Sequence, residues 1–251
     1  MGTFQACESL ETRYVNRRLI RFLMNLKYLR LVLRKPALVS SIHLLRFFNN
    51  KSGVVIGGDL RGHFKAHVRA AKKIINVDNS EFNFGKPTNA DYVTDAANLF
   101  FAADESLDFV CSSHVLEHIA NPLGAINEWK RAIKKGGIIY AGVPDKRYTF
   151  DHRRKRTPLS HLIDDFEKNV DQTDSTHIYE FIENWDEKRV YSCNKEQFLE
   201  NVRNNPKSQV HHHAWIIDDV KEILEYMGLR IVYGPILRRE TIHIIGRKTE
   251  Y

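Results

Sequence analysis

The sequence predicts an α/β domain built on a mostly parallel sheet, and three observations lead to this fold class. Short β-branched runs alternate with helical patterns through the middle of the chain. Each of these runs ends in polar residues. Two further runs, Arg230–Tyr233 and Thr241–Ile245, flank Gly234-Pro235 and suit an antiparallel closing pair. Because ligands bind beyond the carboxyl ends of strands in such sheets, we expect the polar strand ends to line a cleft.

The individual elements follow in order along the chain. The predicted parallel strands are Gly53–Gly58, Lys73–Asp78, Tyr92–Asp95, Ser106–Cys111 and Gly137–Pro144. A helix is predicted from Pro122 to Lys134, because the pattern stops at Gly136-Gly137 as a helix C-terminus should. A second helix, Asp218–Met227, precedes the closing pair. These elements predict helices packed on both faces of the sheet.

The chain divides into a helical N-terminal extension, residues 1–50, and a domain over 51–251 with an insertion at about 146–210. Residues 13–35 hold eight basic residues and no acid, with leucines at helical spacing. They predict a basic amphipathic helix. This helix either attaches to an anionic membrane surface or a protein partner, or covers one side of its own domain.

Composition excludes several classes of protein. Three widely spaced cysteines without a C-x-x-C pair give neither a disulfide framework nor a thiolate zinc site, so a reducing, cytoplasmic location is expected. Peripheral attachment to a membrane stays open, whereas no apolar run is long enough to span one. The chain has a net charge of +7, and residues 13–35 alone contribute eight positive charges, so the net charge of the remaining chain is −1. Nucleic acid is therefore a disfavoured partner.

Three segments follow one another in an order that matches a known family. They are Asp95 to Leu99, Ser106 to His118 and Glu128 to Gly137. They resemble the D-A-x-x-L-P-F, S-F-D-x-V-x-S-x-H-V-L-E-H and E-x-x-R-x-L-K-P-G-G segments of the class I S-adenosylmethionine-dependent methyltransferases, in particular the methyltransferase-11-like branch that acts on small molecules and surface glycans. The resemblance covers Gly53 to Lys248 apart from the insertion. It implies a Rossmann-like seven-stranded sheet whose final strand is antiparallel.

The resemblance also implies a cofactor and its binding residues. S-adenosyl-L-methionine would lie with its methionine end along the first strand end and its ribose at Asp78. Asp95 and Ala96 would lie beside the adenine, and His114 near both cofactor and substrate. The full predicted set is Ile56, Gly57, Gly58, Asp59, Asp78, Asn79, Asp95, Ala96 and His114. The sequence departs from the family's L-E-I-G-x-G pattern at Val55 and Asp59. Retained binding is expected because Asp78 and Asp95 are kept.

Methyl transfer from a sulfonium to an oxygen requires alignment of the partners and removal of a proton from the acceptor. We predict His114 or His152 as the base, with Asp145 orienting or itself acting as base. The expected reaction is O-methylation of a sugar, nucleotide-sugar or glycan intermediate, the acceptor class coming from the resemblance alone. Two alternatives stay open: a non-catalytic methyltransferase-fold protein that binds a partner, and a nucleic-acid methyltransferase.

Two further groups of residues have ambiguous patterns. Arg147, Arg153 and Arg154 either bind a phosphate or carboxylate of the acceptor or form a solvated charge run. His211-His212-His213 is expected to return near the cleft, and His211 and His213 could bind a metal with an acid. Adjacent histidines in a loop are more often bystanders, so no metal site is expected.

Overall fold

A computed structural model describes residues 44–57, 67–80, 82–83, 86–174, 176–186, 194–204 and 210–249. The basic stretch 13–35 lies outside these residues, as do Gly58 and Asp59 of the predicted cofactor loop. Within the described part, no helix is both long enough and apolar enough to cross a membrane.

The strands lie close to where the sequence predicts them. They are β1 (Ser52–Ile56), β2 (Lys73–Asp78), β3 (Phe82–Asn83), β4 (Lys86–Pro87), β5 (Tyr92–Val93), β6 (Leu107–Ser113), β7 (Ile133–Pro144), β8 (Leu229–Arg238) and β9 (Thr241–Lys248). Seven of them form one sheet in the order β5-β2-β1-β6-β7-β9-β8. The first five strands in this order are parallel, and β9 is antiparallel to both of its neighbours. The predicted seven-stranded, mostly parallel sheet is confirmed. The small β3-β4 hairpin is an addition that the sequence did not predict.

The described helices are α1 (Pro122–Ala132), α2 (Leu159–Glu167), α3 (Thr176–Glu183), α4 (Lys195–Asn204) and α5 (Ile217–Tyr226). Helix α1 begins where expected, with Pro122 in its first turn and the Asn121 side chain accepting the Gly124 N–H at 2.8 Å. It ends two residues before the predicted Lys134, because Ile133 already pairs with Leu107 of β6. Pairing in the sheet therefore overrides the helical pattern at this end.

The two faces of the sheet are covered differently. On one face, α1 and α5 pack Trp129, Ile126 and Ile223 against buried residues of the strands. On the other face, the helical turn at residues 44–47 and the segment around Val68 cover Phe109 and Tyr140. Both faces of the sheet are thus buried, which is why its strands are continuous apolar runs and not alternating ones.

The segment between β7 and α5 forms a layer beside the sheet that is joined to the main core through Leu162 of α2. Two 3₁₀ turns, Lys146–Tyr148 and Phe150–Arg153, lead into α2, α3 and α4. Phe181, Trp185 and Val210 form a small separate apolar cluster. The chain then returns through residues 210–216, where Trp215 forms a bridge with Asp145 at the end of β7. This layer therefore lies next to the carboxyl ends of the strands.

Candidate active site

The end of β1 places a glycine where a side chain would not fit. Gly57 has a φ of +80°, and its N–H donates to the Val77 carbonyl of β2 at 2.9 Å. A Cβ atom at this position would lie 2.3 Å from Cγ2 of Val115. The left-handed backbone and the close contact both require glycine. The side chain of Ile56, the preceding residue, is buried in the sheet, so only its backbone faces the strand end.

Two aspartates follow the neighbouring strands at the same edge of the sheet. Asp78 ends β2, is 6% exposed and accepts hydrogen bonds from the N–H groups of Asn79 and Ser80. Burial raises the pKa of Asp78 above its ordinary value, against the effect of these hydrogen bonds. Asp95 follows β5, is exposed, and accepts the Ala97 N–H at 2.8 Å. Gly57, Asp78 and Asp95 therefore come from three adjacent strands, as predicted.

The residues beside these aspartates have different environments. Asn79 is exposed at the start of the turn after β2. Ala96 is half-buried, and its carbonyl accepts the indole N–H of Trp129 at 2.8 Å. This hydrogen bond joins the loop after β5 to helix α1, so the position of Asp95 and Ala96 is fixed by the core of the domain.

His114 lies directly beyond the end of β6 in a conformation uncommon for a residue other than glycine. Its φ is +55°, and its N–H donates to the Gly142 carbonyl at 2.8 Å. The ring Nε2 forms a 2.9 Å hydrogen bond with Thr241 Oγ1, while Nδ1 lies 3.5 Å from Glu117 Oε1. The ring is thus held between β9 and the 3₁₀ turn Leu116–His118.

Glu117 is a fully buried carboxylate that the sequence analysis did not single out. Neither of its oxygens has a hydrogen-bond partner among the described residues, and the ring nitrogens nearest to Oε1 are His114 Nδ1 at 3.5 Å and His118 Nε2 at 4.0 Å. Burial by itself would raise the pKa of Glu117, but His114 together with the charges of His118 and His211 holds it below its ordinary value. An acid flanked by two histidines in H-V-L-E-H was the signal that could have identified it.

Two histidines extend this group towards the layer between β7 and α5. The rings of His118 and His211 meet edge to face with centroids 4.6 Å apart. Burial and the neighbouring His211 lower the pKa of His118 to about 4. Although burial opposes it, Asp151 raises the pKa of His211, whose Nδ1 lies 2.5 Å from Asp151 Oδ2. We call His114, Glu117, His118, His211 and Asp151 the edge cluster.

Arg154 fixes the edge cluster to the chain around it. It is 3% exposed, and its guanidinium donates to Asp151 at 2.9 Å and to the carbonyls of His211 at 2.6 Å and His212 at 2.8 Å. It also donates to Glu180 on α3 at 2.8 Å. Buried among these partners, Arg154 belongs neither to a solvated charge run nor to an open anion site.

The other predicted arginines are exposed on one side and paired on the other. Arg147 donates to both carboxylate oxygens of Asp145, at 2.9 Å and 2.6 Å. Arg153 lies 3.7 Å from Asp186 and donates to the Trp185 carbonyl at 3.2 Å.

The three predicted catalytic residues have different side-chain partners in the structure. Asp145 is buried, with its carboxylate held by the fork of Arg147. His152 lies in the second 3₁₀ turn, with Nε2 at 3.5 Å from Asp186 and a buried Nδ1 that has no hydrogen-bond partner in the described structure. No hydrogen bond or ion pair within the described ranges joins His152 to His114. His114 alone of the three lies in the edge cluster.

The predicted return of the three consecutive histidines to the cleft is seen at the backbone. The N–H of His212 donates to the Glu117 carbonyl at 2.7 Å. The side chains then diverge: His211 joins the edge cluster, while His213 points to a second group formed with His161, Asp165 and His177. His211 and His213, which the sequence suggested as ligands of one metal, therefore belong to two different sites.

Residues 43–141 match the family model of a methyltransferase domain. This match spans β1, β2, β5, β6 and α1, including the strand ends just described. The matched segment is similar to a methyltransferase domain, in line with the predicted class I S-adenosylmethionine-dependent methyltransferase. The sequence-based prediction of this enzyme class and of its cofactor is confirmed, whereas the identity of the acceptor is not given by the match.

Solved structures similar to the chain have low sequence identity to it. A structure from Rhodobacter sphaeroides described as a zinc-dependent alcohol dehydrogenase is 15% identical, covering 82% of this chain and 88% of that one at a TM-score of 0.50. An S-adenosylmethionine-dependent methyltransferase from Aquifex aeolicus is 12% identical, covering 86% and 90% at 0.48. A Haloferax volcanii methyltransferase in complex with its Trm112 activator is 14% identical, covering 92% and 97% at 0.46. Of these three, the Rhodobacter sphaeroides structure reaches a TM-score of 0.50, and at its identity the likeness is one of fold alone. No curated protein sequence matches the chain.

Proposed function

We propose that this methyltransferase domain transfers the methyl group of S-adenosylmethionine to a hydroxyl of a sugar, nucleotide-sugar or glycan intermediate, with His114 as the base. The observation that carries the proposal is the His114–Glu117 pair at the end of β6, in which Nδ1 and Oε1 lie 3.5 Å apart. A histidine oriented by a buried carboxylate is an arrangement that removes protons near neutral pH. The sugar class rests on the resemblance of the PDKRYTFDHRRKRT segment after β7 to glycan-cluster members of the branch.

The residues at the strand ends have the hydrogen-bonding groups and the open backbone that would suit the bound cofactor. The Asp78 carboxylate can accept hydrogen bonds from ribose hydroxyls, which is the task of an acid at the end of the second strand in this fold. Gly57, with no side chain, lets the backbone approach the methionine end, together with Ile56, Gly58 and Asp59. We assign Asn79 to the ribose side and Asp95 and Ala96 to the adenine side. The bound cofactor supplies a methyl group on a positively charged sulfur.

The proton route follows from the hydrogen bonds of His114. With Nδ1–H turned to Glu117, the Nε2 lone pair accepts the Thr241 hydroxyl at 2.9 Å. An acceptor hydroxyl in place of Thr241 Oγ1 would pass its proton to Nε2 as its oxygen attacks the methyl group. Glu117 would then stabilise the imidazolium through its negative charge. Such a base contributes about 10²–10⁴-fold to the rate.

The other two predicted catalytic residues take lesser parts in this scheme. Arg147 fixes both oxygens of Asp145, so we assign this carboxylate to positioning the loop after β7 and not to proton transfer. His152 stays a second candidate base, because its Nδ1 is buried and has no hydrogen-bond partner among the described residues.

The test combines calorimetric titration with a turnover assay. We expect wild-type protein to bind S-adenosylmethionine and S-adenosylhomocysteine in the micromolar range, and Asp78→Ala to lose this binding. His114→Gln should lose about 10²–10⁴-fold in methyl transfer to sugar acceptors, with a much smaller loss of affinity for the two ligands, since His114 is also predicted to lie near the cofactor. His152→Gln is the matched control and should retain activity. Loss of activity in His152→Gln with His114→Gln unaffected would move the base to His152, and transfer to nucleic acid but to no sugar would reject the acceptor class.

A further inference from the structure

A second group of histidines and an acid lies in the layer between β7 and α5. His161 and Asp165 come from α2, His177 from the first turn of α3, and His213 from the extended segment before α5. One potential ligand atom of each lies within 4.8 Å of the corresponding atom of every other member. We call these four residues the inserted cluster.

The spacing inside the inserted cluster is that of ligands around one ion. His161 Nε2 lies 3.3 Å from Asp165 Oδ2 and 3.4 Å from His177 Nε2, and His177 Nε2 lies 3.8 Å from Asp165 Oδ2. Four ligands at the usual zinc distances of about 2.0–2.1 Å form a tetrahedron with edges of about 3.3–3.4 Å. Two of the three observed separations already match this edge, and the third exceeds it by a few tenths of an ångström.

Two buried polar atoms of the inserted cluster have no hydrogen bond to any of the described residues. They are Asp165 Oδ2 and His213 Nδ1. The other ring nitrogen of His213, Nε2, lies 3.1 Å from the Ala120 carbonyl and must donate its hydrogen there. This hydrogen bond fixes the tautomer of His213 and leaves Nδ1 with a lone pair. A backbone carbonyl commonly fixes the tautomer of a metal-binding histidine in the same way. Orphaned acceptors of this kind are costly in a protein interior unless a cation binds them.

The chain geometry brings the ligands to one point from three elements. His161 and Asp165 are four residues apart, which puts them on the same face of α2. The rings of His177 and His213 have centroids 4.7 Å apart, and those of His161 and His177 are 5.0 Å apart. Asp165, His177 and His213 are each at most 5% exposed, and only His161 reaches the surface.

We propose that the inserted cluster binds one zinc ion through three histidine nitrogens and one aspartate oxygen. With four protein ligands the site is closed, which is the mark of a structural and not a catalytic zinc site. The ion joins α2 and α3 to the segment that carries His212. The N–H of His212 donates to the backbone carbonyl of Glu117, a member of the edge cluster. It would thus fasten the inserted helices to the active-site edge. This assignment departs from the sequence-based expectation of no metal.

The edge cluster is a poorer site for the same ion. Its Glu117, His118 and His211 also lie within 4.8 Å of one another, but they offer three ligands. His211 Nδ1 is bound to Asp151, and His118 Nδ1 lies 3.0 Å from the Val210 carbonyl.

The first experiment measures metal in the full chain without any substitution. Protein expressed with zinc in the medium and passed over a chelating resin is analysed by plasma mass spectrometry. We expect about one zinc per chain. Apo protein titrated with Co²⁺ should develop the intense visible absorption of a tetrahedral site, and zinc should displace that absorption. A chain without zinc that also takes up no Co²⁺ would overturn the proposal, and so would an octahedral Co²⁺ spectrum.

The second experiment identifies the ligands with a matched pair of variants. His161→Ala and His152→Ala each remove a partly exposed histidine that lies beside an aspartate, at 3.3 Å and 3.5 Å respectively. His161→Ala, at the rim of the site, should keep its far-ultraviolet circular dichroism but bind zinc at least about 100-fold more weakly in a chelator competition. His152→Ala should bind zinc like wild type. Equal affinity in His161→Ala and wild type, or a loss in His152→Ala alone, would place the ion elsewhere and reject the inserted cluster.

Discussion

The edge cluster and the inserted cluster are built from the same residue types and lie side by side, yet their environments differ. In the edge cluster, ring nitrogens have protein partners, Thr241 for His114 and Asp151 for His211, whereas both oxygens of Glu117 have no hydrogen bond to the described residues. In the inserted cluster, His213 Nδ1 and Asp165 Oδ2 have no hydrogen bond within the described structure. Histidines whose ring nitrogens have hydrogen-bond partners can exchange protons with them. Buried lone pairs that point to one place and have no donor need a cation instead.

The comparison teaches that residue type does not decide chemistry at this edge of the sheet. His211 and His213 are two residues apart, a spacing that would put both side chains on one side of a regular strand. Residues 210–214 are not a strand, however, and the two side chains enter different clusters: His211 contacts Asp151, whereas His213 joins His161, Asp165 and His177. In the proposed scheme the backbone of this segment therefore divides the histidines between proton transfer and metal binding.

The largest effect on stability is expected at Arg154, which fixes the edge cluster to the chain around it. Arg154→Met removes the guanidinium that binds Asp151, Glu180 and two carbonyls, and leaves buried groups without their partner. We expect a loss of about 3–5 kcal/mol in the free energy of unfolding, measured by urea denaturation. Arg153→Met, about half exposed, is the control and should change it by less than about 0.5 kcal/mol. Similar stability of the two variants would show that the clusters do not depend on Arg154.

An isosteric change in the edge cluster should impair catalysis alone. Glu117→Gln keeps the shape of a fully buried side chain but removes the charge beside His114. We expect methyl transfer to fall by about 100-fold or more, because the imidazolium formed at His114 loses its counter-charge. Affinity for S-adenosylmethionine, measured by calorimetry, should stay within about threefold, since Glu117 is not among the assigned cofactor residues. A large loss of cofactor affinity with unchanged turnover would contradict this division of roles.

The corresponding change in the inserted cluster should impair metal binding instead. Asp165→Asn replaces the one anionic ligand by a neutral amide. We expect zinc affinity to fall at least about tenfold in a chelator competition, with a lower melting temperature of the zinc-loaded protein. Cofactor affinity should be that of wild type. If Asp165→Asn bound zinc normally while Glu117→Gln lost it, the roles of the two clusters would be reversed.

The smallest effect is expected at Asp164, one residue away from the proposed ligand Asp165. Asp164 adjoins Asp165 in sequence but points to solvent, where it lies 3.9 Å from Lys168 with both side chains more than half exposed. Asp164→Asn should change the free energy of unfolding by less than about 0.5 kcal/mol and leave zinc affinity unchanged. Thermal melting and the same chelator competition measure both. An effect as large as that of Asp165→Asn would indicate a general charge effect of α2 and not ligation.

The fold was largely predictable because hydrophobic patterning is local information. The runs that became β1, β2, β6 and β7 are short, apolar and bounded by polar residues or glycine, and this pattern specifies buried strands. The end of α1 was predicted too late, since Ile133 to Lys135 suit a helix until β6 is present to pair with Ile133. The position of Gly57, Asp78, Asp95 and His114 at strand ends was predictable as well, because strand ends meet at one edge of a parallel sheet, whereas their roles stay predictions.

The sequence by itself determined the order of the strands' polar ends and the enzyme class that their motifs resemble. Only the tertiary structure decided which charged groups meet. Glu117 contacts His114 through the turn between them, but Arg154 reaches His211 across 57 residues and His213 joins Asp165 across the whole return of the chain. Such contacts depend on how the inserted helices pack on the sheet. That packing has no local periodicity in sequence, so the two clusters appear only once the chain is folded.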